Sequence, residues 1–435
     1  MHQSLRNGTW LTGERLRVYP MILLVGLTLA LAFLVGTKDG LMDRFDRPLG
    51  TDFSQVWTAG TEVLAGQPEM AYDNRAHAQK QRDIFGPKTQ FYGWHYPPFF
   101  LALAAMLALM PYLVALLVWQ ASTLALYLAG VRAILSRPDR APVHTGTGAP
   151  EVRGPGMGTG ALEVRGPGMD WLIPALAFPA VFVNIGHGHN GLLTAALLAG
   201  GLLGLDSKPW LAGILLGLLA YKPQFALVVP VALLAGGYRR SLLGAGGVVA
   251  LMIAASLAAW GTGIWQGFFS SLTFTREVVL EQGSTGFEKI QTVFAAVRLL
   301  GGGVGLAYGA QTVVTSLVLA AIAWLWWSKT GFRLKAAALL CATLLTTPYA
   351  LDYDMMVLGP ALAFLVAHGL ERGFAPYEKT LLAGVWLVPL LARAAGSTAH
   401  LPLGLILLLG LFGLILARAQ AKRHPAAGER QLVPA

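Results

Sequence analysis

Apolar runs long enough to cross a bilayer recur from Tyr19 to Arg418, and no other feature constrains the fold of this chain so strongly. A hydrocarbon core of about 30 Å takes about 20 helical residues to cross, and no soluble domain fits between the runs. In lipid an unpaired backbone N–H or C=O has no water to turn to, so only helices or closed barrels can span. The runs lack the short alternation of barrel strands, which leaves an all-α, polytopic membrane protein. Composition agrees: 12% of the residues are charged and 55% hydrophobic, against roughly 25% charged in ordinary soluble domains.

After the first run, further runs begin near Pro97, Pro111, Trp171, Asn190, Pro209, Gln224, Ser241, Gly305, Ala336, Tyr353, Tyr377 and Ala399, which predicts about 11–13 spans. Met21 to Val35 reads as a retained first span, because no small-residue cleavage site follows it and Lys38-Asp39 ends it. The net charge of +10 comes from basic residues at the ends of apolar runs, where they orient helices, so nucleic-acid binding is not expected. The positive-inside rule puts both tails in the cytoplasm: residues 1–18 at the amino end and the basic residues 419–435 at the other, flanking a membrane-embedded region 19–418. Within that region, residues 37–96 form a large first outer loop. Residues 137–170 form a flexible linker whose Gly/Pro-rich segment Gly146–Met157 is repeated almost identically as Gly158–Met169. Parity requires Pro97–Leu135 to cross once, or to dip and cross. The lone Cys341 excludes intrachain disulfides and a cysteine-based metal site.

Polar groups in or beside a bilayer are costly without a partner or a task, and the candidates all fall on the predicted outer face. Asp52 could be a general base, or with Gln55 it could make a capping box at a helix start. Tyr96, in Trp94-His95-Tyr96-Pro97-Pro98, suits an interfacial anchor or a substrate contact. The polar turn Asn184-Ile185-Gly186-His187-Gly188-His189-Asn190 offers hydrogen bonds to a polar ligand; two histidines two residues apart with a nearby Asn could also suggest a metal, but no third strong ligand is adjacent, so the hydrogen-bonding reading is preferred. Lys222, at the tip of a short apolar hairpin with Gln224 beside it, could meet a phosphate or snorkel to the interface. Asp352, Tyr353 and Asp354 follow Pro348-Tyr349 in a turn that is either solvated and capping or part of a site.

Taken in order, these motifs resemble the GT-C membrane glycosyltransferases of family 87, related to polyprenyl-phosphate-mannose-dependent α-1,2-mannosyltransferases. The likeness runs from about Thr51 to Leu365: Asp52-Phe53, Gly66, Tyr72-Asp73, Tyr96-Pro97-Pro98, Gly188-His189-Asn190, Tyr221-Lys222-Pro223, Pro348-Tyr349 and Tyr353-Asp354. It implies a GT-C-like bundle that moves a hexose, mannose first, from a polyprenyl phosphate to a glycolipid or glycan hydroxyl with inversion, at the outer face of the plasma membrane. Asp52 would be the base and Lys222 the partner of the donor phosphate, with Tyr96, His189, Asn190, Gln224, Tyr353 and Asp354 binding substrate. No cofactor is implied, and a divalent ion is neither required nor excluded. Two positions depart from the family pattern: His189 stands where glutamine is usual, and Asp352, Tyr353 and Asp354 stand where mannosyltransferases often carry histidine. The competing expectation is a transporter or flippase for a lipid-linked sugar, which commonly shows matched halves; apart from the linker duplication no internal repeat is visible.

Overall fold

A computed structural model describes residues 2–137 and 169–421. The duplicated linker falls almost wholly outside the described residues, as do Lys422, Arg423 and Arg430 of the basic tail. Among the described residues every regular element is helical, and β pairing is limited to isolated bridges. Among the described residues seven helices, not the roughly 11–13 expected from the apolar runs, are long and apolar enough to cross a membrane: Gly13–Gly36, Tyr112–Ser136, Arg239–Trp260, Val304–Trp327, Asp352–Arg372, Glu378–Ala399 and Leu403–Ala421. The all-α polytopic fold expected from the apolar runs is therefore present. The remaining runs fold as shorter helices, among them Gly191–Gly204, Pro209–Tyr221 and Pro223–Ala235. Proline sets several of these boundaries: Pro179, Pro209 and Pro223 each open a helix at its first position, where the missing N–H breaks no hydrogen bond.

The stretch after Pro97 resolves into Phe100–Ala108, of 9 residues, and Tyr112–Ser136, of 25. At about 1.5 Å per residue only the second can cross. The first lies against helix Thr51–Leu64, so closely that a Cβ on Gly60 would sit 2.1 Å from the Ala104 carbonyl oxygen.

Lipid does not drive helices together as water does, so close packing of small residues must supply much of the association. Gly213 and Gly217 show how: a Cβ on either would come within 2.2 Å of Ser241 O or 2.3 Å of Val248 Cγ1 of helix Arg239–Trp260. Helix Phe332–Leu345, rich in alanine, is buried along nearly its whole length and forms a central post. Helix Gly13–Gly36 is the opposite case, with Ile22 and Leu29 turned outward and only Pro20 buried. Such an apolar exterior needs lipid as its solvent.

Both Tyr112–Ser136 and Phe332–Leu345 run between the two ends of the bundle. At one end they meet the 37–96 segment and the turns around residues 188, 222 and 350. At the other, Arg137, Arg333 and Glu371 gather. The 37–96 segment is ordered, with Thr51–Leu64 and Asn74–Phe85 clamped by a fully buried Glu62–His77 pair at 2.9 Å.

Candidate active site

Asp52 owes its position to Gly50. That residue is the N-cap of helix Thr51–Leu64, with φ of 67°, and a Cβ there would lie 2.7 Å from Leu116 Cδ1. The Tyr112 hydroxyl donates to the Leu49 carbonyl at 2.5 Å and pins the approach to the turn. The helix carries no side-chain cap, so the capping-box expectation is corrected: Asp52 lies in the first turn, where the helix dipole favours a carboxylate, and Gln55 Nε2 donates to its Oδ1 at 3.4 Å.

From Asp52 a continuous stack of side chains crosses four sequence segments. Asp52 Oδ2 lies 3.4 Å from His189 Nε2. The His189 ring stacks on Tyr353, centroids 3.8 Å apart and planes within 16°. The other partner of Tyr353 is a cation, with Lys222 Nζ 4.5 Å from its ring centroid. Lys222 in turn donates to Asp354 Oδ1 at 2.5 Å, while Asp354 Oδ2 accepts from the Leu351 N–H at 3.0 Å.

Backbone shape makes the stack possible. Gly188, at φ 68°, ends helix Pro179–His187 and passes so close to helix Thr51–Leu64 that a Cβ would sit 2.5 Å from Phe53 Cβ. The turn holds the rings of His187 and His189 5.3 Å apart, and Thr51 Oγ1 meets His187 Nδ1 at 2.7 Å. Asn184 ties this turn to the late loop, donating to the Tyr353 carbonyl at 3.0 Å and accepting from Gly191 N at 2.8 Å. Gln291 N donates to Ala350 O at 2.8 Å and Thr292 Oγ1 to Pro348 O at 3.0 Å, bracing the late loop from the other side.

Enclosure within the protein pushes the Asp52 carboxyl up to about 7, and the nearby Asp352 carboxylate adds to the rise; Lys289, the Thr51 hydroxyl and Lys222 oppose it. A carboxyl poised near neutrality is suited to general-base work. The Asp52 side chain is 34% exposed, so a ligand can reach it.

Tyr96 is drawn in through its hydroxyl, which accepts from Asn190 Nδ2 at 2.7 Å; Asn190 Oδ1 is buried without a partner. Trp94 beside it is 1% exposed, so this motif faces the protein interior and is not an interfacial anchor. Lys222, 2% exposed, does not snorkel, and the Asp354 carboxylate is buried in its ion pair, which rules out a solvated turn although Asp354 also caps its helix. Gln224 is half-buried and takes no part in these contacts. Several contributors were not among the expected site residues: Thr51, Asn184, His187, and Arg393, whose Nε lies 3.8 Å from Asp352 Oδ2. Thr51, Asn184 and His187 all stood in the polar segments around Asp52 and His189, whereas nothing in the sequence marked Arg393.

The family model of glycosyltransferase family 87 matches residues 94–348, more than half of the chain. That range holds Tyr96, His189, Asn190, Lys222 and Gln224, and lies between Asp52 on one side and Tyr353 and Asp354 on the other. No curated protein matches the chain at a significant level, and no solved structure does.

Proposed function

The chain belongs to glycosyltransferase family 87, and within that family we propose that it moves a hexose, mannose first among the donors, from a polyprenyl phosphate to a hydroxyl of a glycolipid or glycan. The stack from Asp52 through His189 and Tyr353 to the Lys222–Asp354 pair is the observation that carries this reading. The acceptor oxygen attacks the anomeric carbon and its proton passes to Asp52. The bond from that carbon to the phosphate oxygen breaks, and polyprenyl phosphate leaves with the electron pair; a single displacement inverts the centre. A phosphate is already a good leaving group, so the protein's task is a base, a cation and exclusion of water. Lys222 supplies the cation, as a compact charge set against ring faces. Family membership in a glycosyltransferase group removes the ground for a carrier.

The same reading puts the site on the outer side of the plasma membrane. Its support is the charge pattern: Arg132, Arg137, Arg333, Arg372 and Arg418 lie toward the end of the bundle away from Asp52, as expected if that end is cytoplasmic. The decisive measurement is transfer from labelled polyprenyl-phosphate sugars by purified protein in liposomes. Wild type is expected to transfer from one of them, and Asp52→Asn to lose at least about a hundredfold in rate while keeping its melting temperature. Full activity in Asp52→Asn would remove the base from this scheme.

A further inference from the structure

We propose that Asp52, His187 and His189 form a binding site for a divalent transition-metal ion of the zinc type. Each offers one ligand atom, and all three atoms lie within 4.8 Å of one another. The His189 Nε2–Asp52 Oδ2 separation of 3.4 Å matches the edge of a tetrahedral site whose bonds are about 2.0–2.1 Å, for which ligand atoms stand about 3.4 Å apart. The other separations are no more than 4.8 Å, so binding an ion would draw the three groups inward. Two imidazoles and one carboxylate are a donor set that zinc takes readily, and they leave the fourth position to water or a ligand.

The surroundings are those of an organised site. His187 Nδ1 lies 2.7 Å from Thr51 Oγ1, a hydrogen bond that fixes the orientation of its ring. His189 is held flat against Tyr353. Gly188 admits no side chain beside Phe53, so the turn that aims both rings toward helix Thr51–Leu64 has little freedom to rearrange. Two nearby cations have carboxylate partners, Lys222 with Asp354 and Arg393 with Asp352, while the charge of Lys289 also reaches Asp52 and His187 and works against a bound ion. Asp52, 34% exposed, keeps the site open to solutes. In sequence the histidine turn lacked a third ligand; the fold supplies it from a segment far up the chain. On the reading that Asp52 is the catalytic base, the ion and the acceptor proton compete for one carboxylate, so an occupied site is an inhibited one.

Binding can be read with no sugar donor present, which separates it from the transfer reaction. Full-length protein in detergent, stripped with a chelator, is titrated with Co²⁺ and followed by its visible absorption, then displaced with Zn²⁺. One saturable site per chain is expected, with His187→Ala and His189→Gln each weakening it at least about tenfold and Thr51→Val, a positioning change, by about tenfold. Zn²⁺ should also raise the melting temperature of wild type and not of His187→Ala. Absence of a saturable band, or a band unchanged in the histidine variants, overturns the proposal. Should His187→Ala fail to fold, an unchanged affinity in folded Thr51→Val together with folded His189→Gln does the same.

Discussion

Arg333 and Lys222 are both buried cations with a carboxylate in reach, near opposite ends of one bundle, and they hold their charge in opposite ways. Arg333 spreads its guanidinium over three acceptors: Ala367 O at 2.6 Å, the Arg137 carbonyl, and Glu371 Oε1 at 2.8 Å. Its fork joins three chain segments and leaves little donor capacity over. An ammonium has three protons, and Lys222 Nζ gives one to Asp354 while Tyr353 and Phe225 turn ring faces toward it at 4.5 and 5.4 Å. On the proposed function, the donors that face rings are the ones that meet the donor's phosphate. Arg333 is a structural tie; Lys222 makes a single hydrogen bond and two ring contacts, the arrangement that the proposed role at the donor phosphate calls for.

The largest effect that tests this contrast comes from removing each pair in turn. Lys222→Met alone leaves the Asp354 carboxyl buried and unpaired, a loss of about 3–5 kcal/mol in stability, whereas adding Asp354→Leu should return most of it, since a buried ion pair can be replaced by packed apolar groups at little net cost. On the proposed function, transfer should stay at least about a hundredfold down in both, because the proposed partner of the donor phosphate is gone in both. Arg333→Met should destabilise by a similar amount and leave kcat/KM of the folded fraction unchanged. Thermal melts alongside single-turnover transfer would separate the two; recovery of transfer in the double variant would erase the distinction.

Next in size is a pH effect. If Asp52 is the base, as proposed, the rate should rise by about tenfold per pH unit below about 7 and level off above it, because the carboxyl has to be ionised to accept a proton. For stability the sign is reversed: a carboxyl raised by enclosure binds its proton more tightly folded than unfolded, so its contribution falls as pH rises from the ordinary carboxyl range through about 7. Asp52→Asn should therefore abolish the acidic limb of the rate profile and leave the protein no less stable at pH 8. A limb that survives the substitution belongs to another group.

Much of this was legible in the chain itself. Apolar runs announce helices in lipid because no other backbone solution exists there, and the polar turns stood out because a charge between two spans has to have a reason. Asp52, His189, Asn190, Lys222, Tyr353 and Asp354 were all visible on that ground. Their pairing was not: His189 meets Asp52 and Lys222 meets Asp354 across 132 or more residues, contacts that only the packed bundle creates. Nor could hydropathy distinguish a full span from a short helix such as Phe100–Ala108, since both are simply apolar. Gly50 as a cap escaped notice because a positive φ leaves no mark beyond the glycine itself.

The smallest expected effect is the sharpest on the opening contrast, because it changes shape and keeps charge. Arg333→Lys replaces a planar fork by a point donor, so at most part of the three-way tie survives; a loss of about 1 kcal/mol in stability with unchanged transfer is expected. The reciprocal Lys222→Arg keeps a cation beside Asp354 but must fit a broad guanidinium between the rings of Tyr353 and Phe225. It should cost about tenfold in transfer, mostly through KM for the donor, and little in stability. Were both exchanges to act on stability alone, Lys222 would be a tie like Arg333, and the cation for the leaving phosphate would have to be sought elsewhere, with Lys289 the first to examine since its charge already bears on Asp52.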